Sequence, residues 1–373
     1  MKRVIYLLLF LAFLLTAGCG IIPHSSNDPP TADQVDEGPA LVNFPTSFLG
    51  VQIPEPIEKV LCYDYVTLNA VLCAMNDADC IAGCNHDDIA GTLIDRLFPE
   101  VKDLPSVAAN GRPDAAAAAD TGAKYILMTD NAGSMTLAEL TDAFSSIGIQ
   151  PVVTTEYGER SSASTNAMTF LWVGTDSDDL KRNFDAVVRE DHSLLKAELM
   201  EKLPFDKRRT VVFLGDTLYS VYTREIVHEI IEDCGGINAA ADLEITDGYR
   251  TSAGFMTAVN TMVSPEQLCA WDPDVIWVPH FVDYTVDDVL NDPALANLKA
   301  VQAGAVYEFP GELEPWYYPT PSYRLGVFWG CYTLYPELCP YERVLTAAGR
   351  YYDTVFNAAF TEEDMGLVPL FGE

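Results

Sequence analysis

The 373-residue chain is short of positive charge: 22 Lys and Arg stand against 55 Asp and Glu, a formal net charge of −33 at pH 7. Binding to a phosphate backbone draws on clustered Lys and Arg, so nucleic acid is excluded as a partner. A large anion is costly to hold as well, unless Arg residues gather locally. Solubility and a saline habitat each account for such acidity. Catalytic signatures are missing too. No G-x-S-x-G, Walker A loop or post-strand G-x-G-x-x-G is present. "HEIIE" at 228–232 opens like a zincin helix, but Glu232 stands where the second His belongs. His228 and Glu229 therefore read as the solvated face of an ordinary helix. Carboxylate pairs are so frequent here that they single out nothing. Beyond the first nineteen residues no stretch reaches the ~20 apolar residues that span a bilayer.

What is present is a sizeable stock of core: 49% of residues are hydrophobic and 11% aromatic, in a chain long enough for two domains. Lys2 and Arg3 precede "VIYLLLFLAFLL", and "TAGC" then ends at Cys19. That order describes an export signal over 1–18. Cys19 after Ala17-Gly18 resembles a bacterial lipobox, with Thr16 where Leu is usual, and implies lipid on the Cys19 thiol. The plainer alternative is an ordinary signal with an incidental Cys. Residues 19–45, rich in Pro, Ser and Asp, read as a flexible tether. The expected location is extracytoplasmic, with a lipid anchor in the cell membrane. Eight cysteines remain beyond Cys19, free to pair outside the cytoplasm or to stay as buried thiols. "CAMNDADCIAGC" at 73–84 lacks zinc-ribbon spacing, so no metal is expected there.

From residue 59 onward, short apolar runs alternate with helical patterns: "KVLCY", "LNAVLCAM", "AKYILMT", "LAELTDAFSSIG" and "QPVVTT". The alternation returns with "RTVVFLG", "REIVHEIIEDCGG", "DVIWVP" and "AVYEF". Strands alternating with helices predict mostly parallel sheets flanked by helices. The expected fold class is α/β in two lobes, 46–174 and 205–373, the second ending in a C-terminal helix. Between them, Leu180, Phe184, Val187, Leu195, Leu199 and Leu203 repeat at helical spacing. Thr175 and Asp178 offer a capping start and Pro204 a stop. A helix over 177–203, within a linking segment 175–204, would be about 40 Å long and would join the lobes.

Two such lobes leave a cleft between the C-terminal edges of their sheets, where open α/β sheets place ligands. The loops expected there carry Tyr63, Arg112, Tyr157, Tyr219, Arg250 and His280. They also include "EPWYYPTPSYRLG" at 314–326, where Pro315 and Pro319 bracket Trp316, Tyr317 and Tyr318. The two Pro residues forbid a helix and favour a surface loop. On that reading at least one aromatic faces outward. Trp316 with Tyr317 or Tyr318 would line the cleft, and Arg250 would supply positive charge opposite. The alternative for each ring is that it packs on its own lobe.

Several motifs, in order, resemble the substrate-binding proteins of ABC importers for ferric siderophores, haem and cobalamin. They are "CGGINAAAD" at 234–242, "VSPEQLCAWDPDVIWV" at 263–278 and "NDPALANLKAVQAGAVYEFP" at 291–310. The resemblance implies two lobes joined by one long helix, no catalysis and no cofactor. It implies a monomer that hands its ligand to a permease and its ATPase. It also implies that the loop after "VYEFP" faces the ligand. "PTPSYRLGVFWGCYTLYPE" is similar to a version found in members for iron complexes and some for molybdate or tungstate. Docking in this family uses an acidic residue on each lobe. Glu266 matches in the second; in the first, Ala116 stands at the expected position and Asp114 is the substitute. The ligand implied is an iron chelate, with molybdate, tungstate or cobalamin as alternatives. A surface metalloenzyme or adhesin on the same fold is a further one.

Overall fold

The computed structural model describes residues 46–86, 89–129, 136–154, 162–175, 191–223, 226–243 and 260–366. Its frame is two four-stranded sheets. The first runs in the spatial order Ile81–Cys84, Val60–Cys62, Tyr125–Met128, Gln150–Val153, all parallel. The second runs Ile237–Asn238, Thr210–Phe213, Val275–Val278, Val306–Glu308, again parallel. The two sheets thus share one strand order: second, first, third, fourth. "VLC", "IAGC", "YILM" and "VIWV" are buried at every position, as strands covered on both faces must be.

The helix Tyr65–Met75 shows how local sequence sets an element. The Asp64 side chain caps it by accepting from the Thr67 N–H at 2.9 Å, and Asn76 ends it in the left-handed region at φ 48°. Apolar on nearly every side, it is buried along ten of its eleven residues, packed against the helix Ser162–Gly174. Of the expected linking helix, Asp191–Lys202 is helical, with Leu195 and Leu199 buried; 176–190 lies outside the described residues. Antiparallel hairpins add Thr46–Phe48 with Val51–Ile53, Ala108–Ala109 with Arg112–Pro113, and Ser220–Tyr222 with Asn260–Met262.

The last long helix, Tyr341–Phe356, follows the helix Tyr323–Leu334 and returns to the first lobe. There the Tyr351 hydroxyl meets the Cys73 thiol at 3.7 Å, and Phe356 sets its ring edge-on to Phe98 with centroids 6.1 Å apart. One apolar cluster, from Val51 to Met365, therefore runs through both lobes. Trp329 is buried within it, as helical packing of Tyr323–Leu334 requires. Among the described residues no helix is long and apolar enough to cross a membrane. Cys19 and the tether lie outside them.

Candidate ligand-binding cleft

In each sheet the strand order reverses beside the first strand, and the C-terminal ends on either side of that point open a crevice. In the first lobe the crevice is spanned by Asp64. It follows the first strand, and its Oδ2 accepts from the Thr129 N–H, which follows the third, at 2.7 Å. Burial raises the Asp64 pKa, partly opposed by these backbone donors. His86, after the neighbouring strand, holds a buried Nε2 with no hydrogen-bond partner. Residues 130–135, 155–161 and 244–259 lie outside the described residues.

In the second lobe the corresponding position is His280, directly after Val275–Val278. Its Nδ1 lies 2.6 Å from Glu308 Oε1 and its Nε2 3.1 Å from Glu312 Oε2. Two glycines make room for the ring. A Cβ on Gly311 would lie 2.4 Å from His280 Cβ, and one on Gly366, at φ +69°, 2.7 Å from His280 Cε1. Burial alone would lower the His280 pKa, but the two carboxylates outweigh it and raise the value. Phe281 stands edge-on to the imidazole and is 61% exposed. The wall is thus an acid-flanked imidazole with an aromatic ring beside it. Among the described residues no Lys or Arg pairs with Glu308 or Glu312; nearby Arg96 is committed to Asp364.

The residues singled out by sequence divide three ways. His280 stands on the cleft wall, and Arg112 is exposed on its hairpin, attracted to Glu139 at the start of the helix Leu137–Ser145. Tyr157 and Arg250 lie outside the described residues. Three others are drawn inward. Tyr63 is buried with its ring edge-on to Phe144, so it packs the first lobe's own core. Tyr219 donates to Asp292, tying its hydroxyl to the end of the helix Val286–Asn291. Trp316 is 1% exposed and donates from Nε1 to the Tyr352 hydroxyl at 3.1 Å, with Phe360 over its face. That is a core position, so the expectation that Trp316 lines the cleft fails; within the run only Tyr318 keeps partial exposure. Tyr317 is 4% exposed between Phe213, Tyr222 and Phe309, and Tyr318 is half-buried against it. The returning helix covers the loop, so its prolines mark a buried turn instead of a surface one.

The docking candidates sit at comparable places. Glu266 is exposed in the first turn of Pro265–Trp271, where its own backbone N–H and Ser264 lower its pKa. Asp114 caps Ala115–Asp120, its carboxylate accepting from the Ala117 N–H at 3.0 Å, while Ala116 beside it is exposed.

Sequence reasoning missed Glu314. Its carboxylate accepts from Asn69 Nδ2 at 3.0 Å and from the Tyr352 hydroxyl at 2.8 Å, and burial raises its pKa to about 7. Beside it the Leu313 carbonyl accepts from the Leu93 N–H at 2.8 Å. The strap 311–314 therefore bonds across to the first lobe. Glu308, the last residue of the strand Val306–Glu308, and Glu312, four residues on, were missed as well. A recess of about 360 Å³ lined by Glu55, Ile57, Lys59, Lys124 and Tyr125 opens at the opposite end of the first-lobe strands. It takes no part in the cleft. Among the described residues no group of His, Cys, Asp and Glu is arranged to hold a metal ion.

Residues 139–313 match the family model for periplasmic binding protein. The molybdate-binding protein MolA of Haemophilus influenzae is 23% identical, over 77% of this chain and 82% of its own. Its molybdate-bound structure superposes with a TM-score of 0.64 at 19% identity, covering 84% of this chain and 97% of that one. A periplasmic solute-binding protein of Veillonella parvula gives a TM-score of 0.67 at 18% identity, covering 87% and 95%. CeuE of Helicobacter pylori, solved as a nickel–histidine complex, gives 0.61 at 14%, covering 85% and 95%. These likenesses carry the two-lobed fold across nearly the whole chain, and the family model carries the kinship across its middle. Across residues 139–313 the chain is similar to the periplasmic binding proteins, and over most of its length it shares the two-lobed fold of these solute-binding proteins.

Proposed function

We propose that the chain is the lipid-anchored binding component of an ABC importer and captures an iron complex of siderophore or haem type. The observation that carries this reading is His280, held between Glu308 and Glu312 beside exposed Phe281. Two carboxylates repel a bare dianion, whereas a neutral or cationic metal complex with a flat face suits them and the ring. Half-buried Tyr318 extends the aromatic surface. The ligand then passes to a permease with its ATPase, Glu266 serving as the second-lobe contact and Asp114 as a weaker first-lobe one. The binding protein acts as a monomer, held at the membrane through Cys19.

A second reading is capture of molybdate, favoured by the 23% identity to MolA. Arg250, which the sequence places on a cleft loop, would then supply the charge that the described wall lacks. Titrations of intrinsic Trp fluorescence with a ferric hydroxamate, haem and molybdate separate the two. Saturable quenching by an iron complex or haem, with molybdate inert, is the expected result. Saturation by molybdate alone overturns the leading reading. For the anchor, labelled fatty acid should enter the protein and be lost in Cys19→Ser.

A further inference from the structure

The eight cysteines from Cys62 onward are all thiols in this structure, and six are buried. Most point at oxygen. Cys80 reaches the Asp77 carbonyl at 3.0 Å, Cys234 that of Ile231 at 3.2 Å, Cys269 that of Ala294 at 3.5 Å, and Cys73 the Tyr351 hydroxyl at 3.7 Å. Cys331 and Cys339 differ, because each thiol is the strongest influence on the other. The corner between the last two long helices brings this about. The Tyr335 N–H bonds back to the Cys331 carbonyl at 2.7 Å, and the Cys339 N–H to the Tyr335 carbonyl at 3.0 Å. The chain then folds beside the helix it has just left, and the Cys339 sulfur comes within 3.6 Å of the Phe328 carbonyl, three residues before Cys331.

We propose that Cys331 and Cys339 form a disulfide that staples the corner between the helices Tyr323–Leu334 and Tyr341–Phe356. The proposal rests on the extracytoplasmic location, where thiols are oxidised. Each thiol gives up one proton and one electron and a single S–S bond forms. The two electrons reduce the disulfide of a thiol–disulfide oxidoreductase or of oxidised glutathione to two thiols. Both residues are fully buried, so the bond forms while the chain folds and is shielded afterwards. Cys234 lies close by but gives its thiol to its own helix, which leaves the pair to each other.

The test is refolding of the reduced, unfolded mature chain in a glutathione buffer, followed by denaturation, alkylation without reductant and digestion. Trypsin leaves both cysteines in 325–343, and a further cut after Glu337 parts them unless they are bridged. The peptide 325–343 should be lighter by two hydrogen atoms and carry no alkyl group. Its halves should stay joined until reductant is added. Alkylation of both cysteines, or a bridge from Cys234 to either, overturns the proposal. Because refolding is done in vitro, a bridge forms here even if the cell places the chain elsewhere, so the location fails separately. The melting midpoint of the wild type should also fall by several degrees in reductant. That of the Cys331→Ser, Cys339→Ser double variant should not move; an equal fall in both rejects the staple.

Discussion

Asn69 of the first lobe donates its side-chain amide to Glu314 of the second at 3.0 Å, across 245 positions of chain. The groups facing that carboxyl are Tyr65, Asn69 and Cys73 from the helix Tyr65–Met75, Tyr351 and Tyr352 from the last helix, and Ser322. None is a cation.

Burial holds the Glu314 pKa at about 7 in the fold, against an ordinary 4.5. Below 4.5 both folded and unfolded chains are neutral at this site. Between the two values only the unfolded chain sheds the proton, so stability falls as pH rises and levels off above pH 7. The whole span is worth roughly 3 kcal/mol. Glu314→Gln removes this dependence, because an amide can donate to the unpartnered Asn69 Oδ1 once that group is turned. Urea unfolding at pH 5 and pH 8 checks it: the wild type should lose stability and the variant should not. Parallel losses in both would count against Glu314 as the source.

Trp316→Ala should destabilise the fold by about 3–5 kcal/mol, the cost of emptying a buried aromatic site. Trp316→Phe, which forfeits mainly the bond to Tyr352, should cost about 1 kcal/mol. Ligand affinity of the folded fraction should stay close to wild type in both. Calorimetric melting and a ligand titration on the same samples give the answer. A normal melting point with lost affinity would return Trp316 to the cleft wall.

His280 should titrate above its usual 6.5, since Glu308 and Glu312 together outweigh its burial. Its contribution to stability is complete below the unfolded value and is lost as pH rises through the raised folded one. Ring-proton NMR should show the pKa falling in Glu308→Gln. Glu312→Gln, with one carboxylate fewer on the wall, should weaken a cationic chelate several-fold. An unchanged His280 titration in Glu308→Gln would contradict the assigned cause.

Glu266→Ala should leave melting and ligand affinity unchanged and cut uptake in cells sharply, because the residue is exposed and touches no part of the cleft. Normal uptake by the variant would remove Glu266 from the docking surface.

The two sheets could be read from the chain because each strand is a short apolar run between helical patterns, a local signal. The fate of the Trp-Tyr-Tyr loop could not. Pro315 and Pro319 correctly forbid regular structure, but what covers the loop is Tyr352 and Phe360, distant in sequence and placed only by the returning helix. Tyr63 misled for a similar reason. It follows a strand at the cleft edge, yet its ring turns to Phe144, whose position depends on packing from another element. His280 was found because it immediately follows a strong strand pattern. Its two carboxylate partners were lost among 55 acidic residues.

The return of the last helix and of the segment after it has a mechanical consequence. The first lobe is tied to the second at Asn69, at Leu93 and through Arg96 to Asp364, in addition to the covalent link between lobes. Ties acting in parallel add their stiffness, so thermal energy turns one lobe against the other by only a small angle. On the proposed function, a transporter would tell loaded from empty by the chemistry displayed at the cleft mouth, since such ties leave the outline of the molecule little room to change.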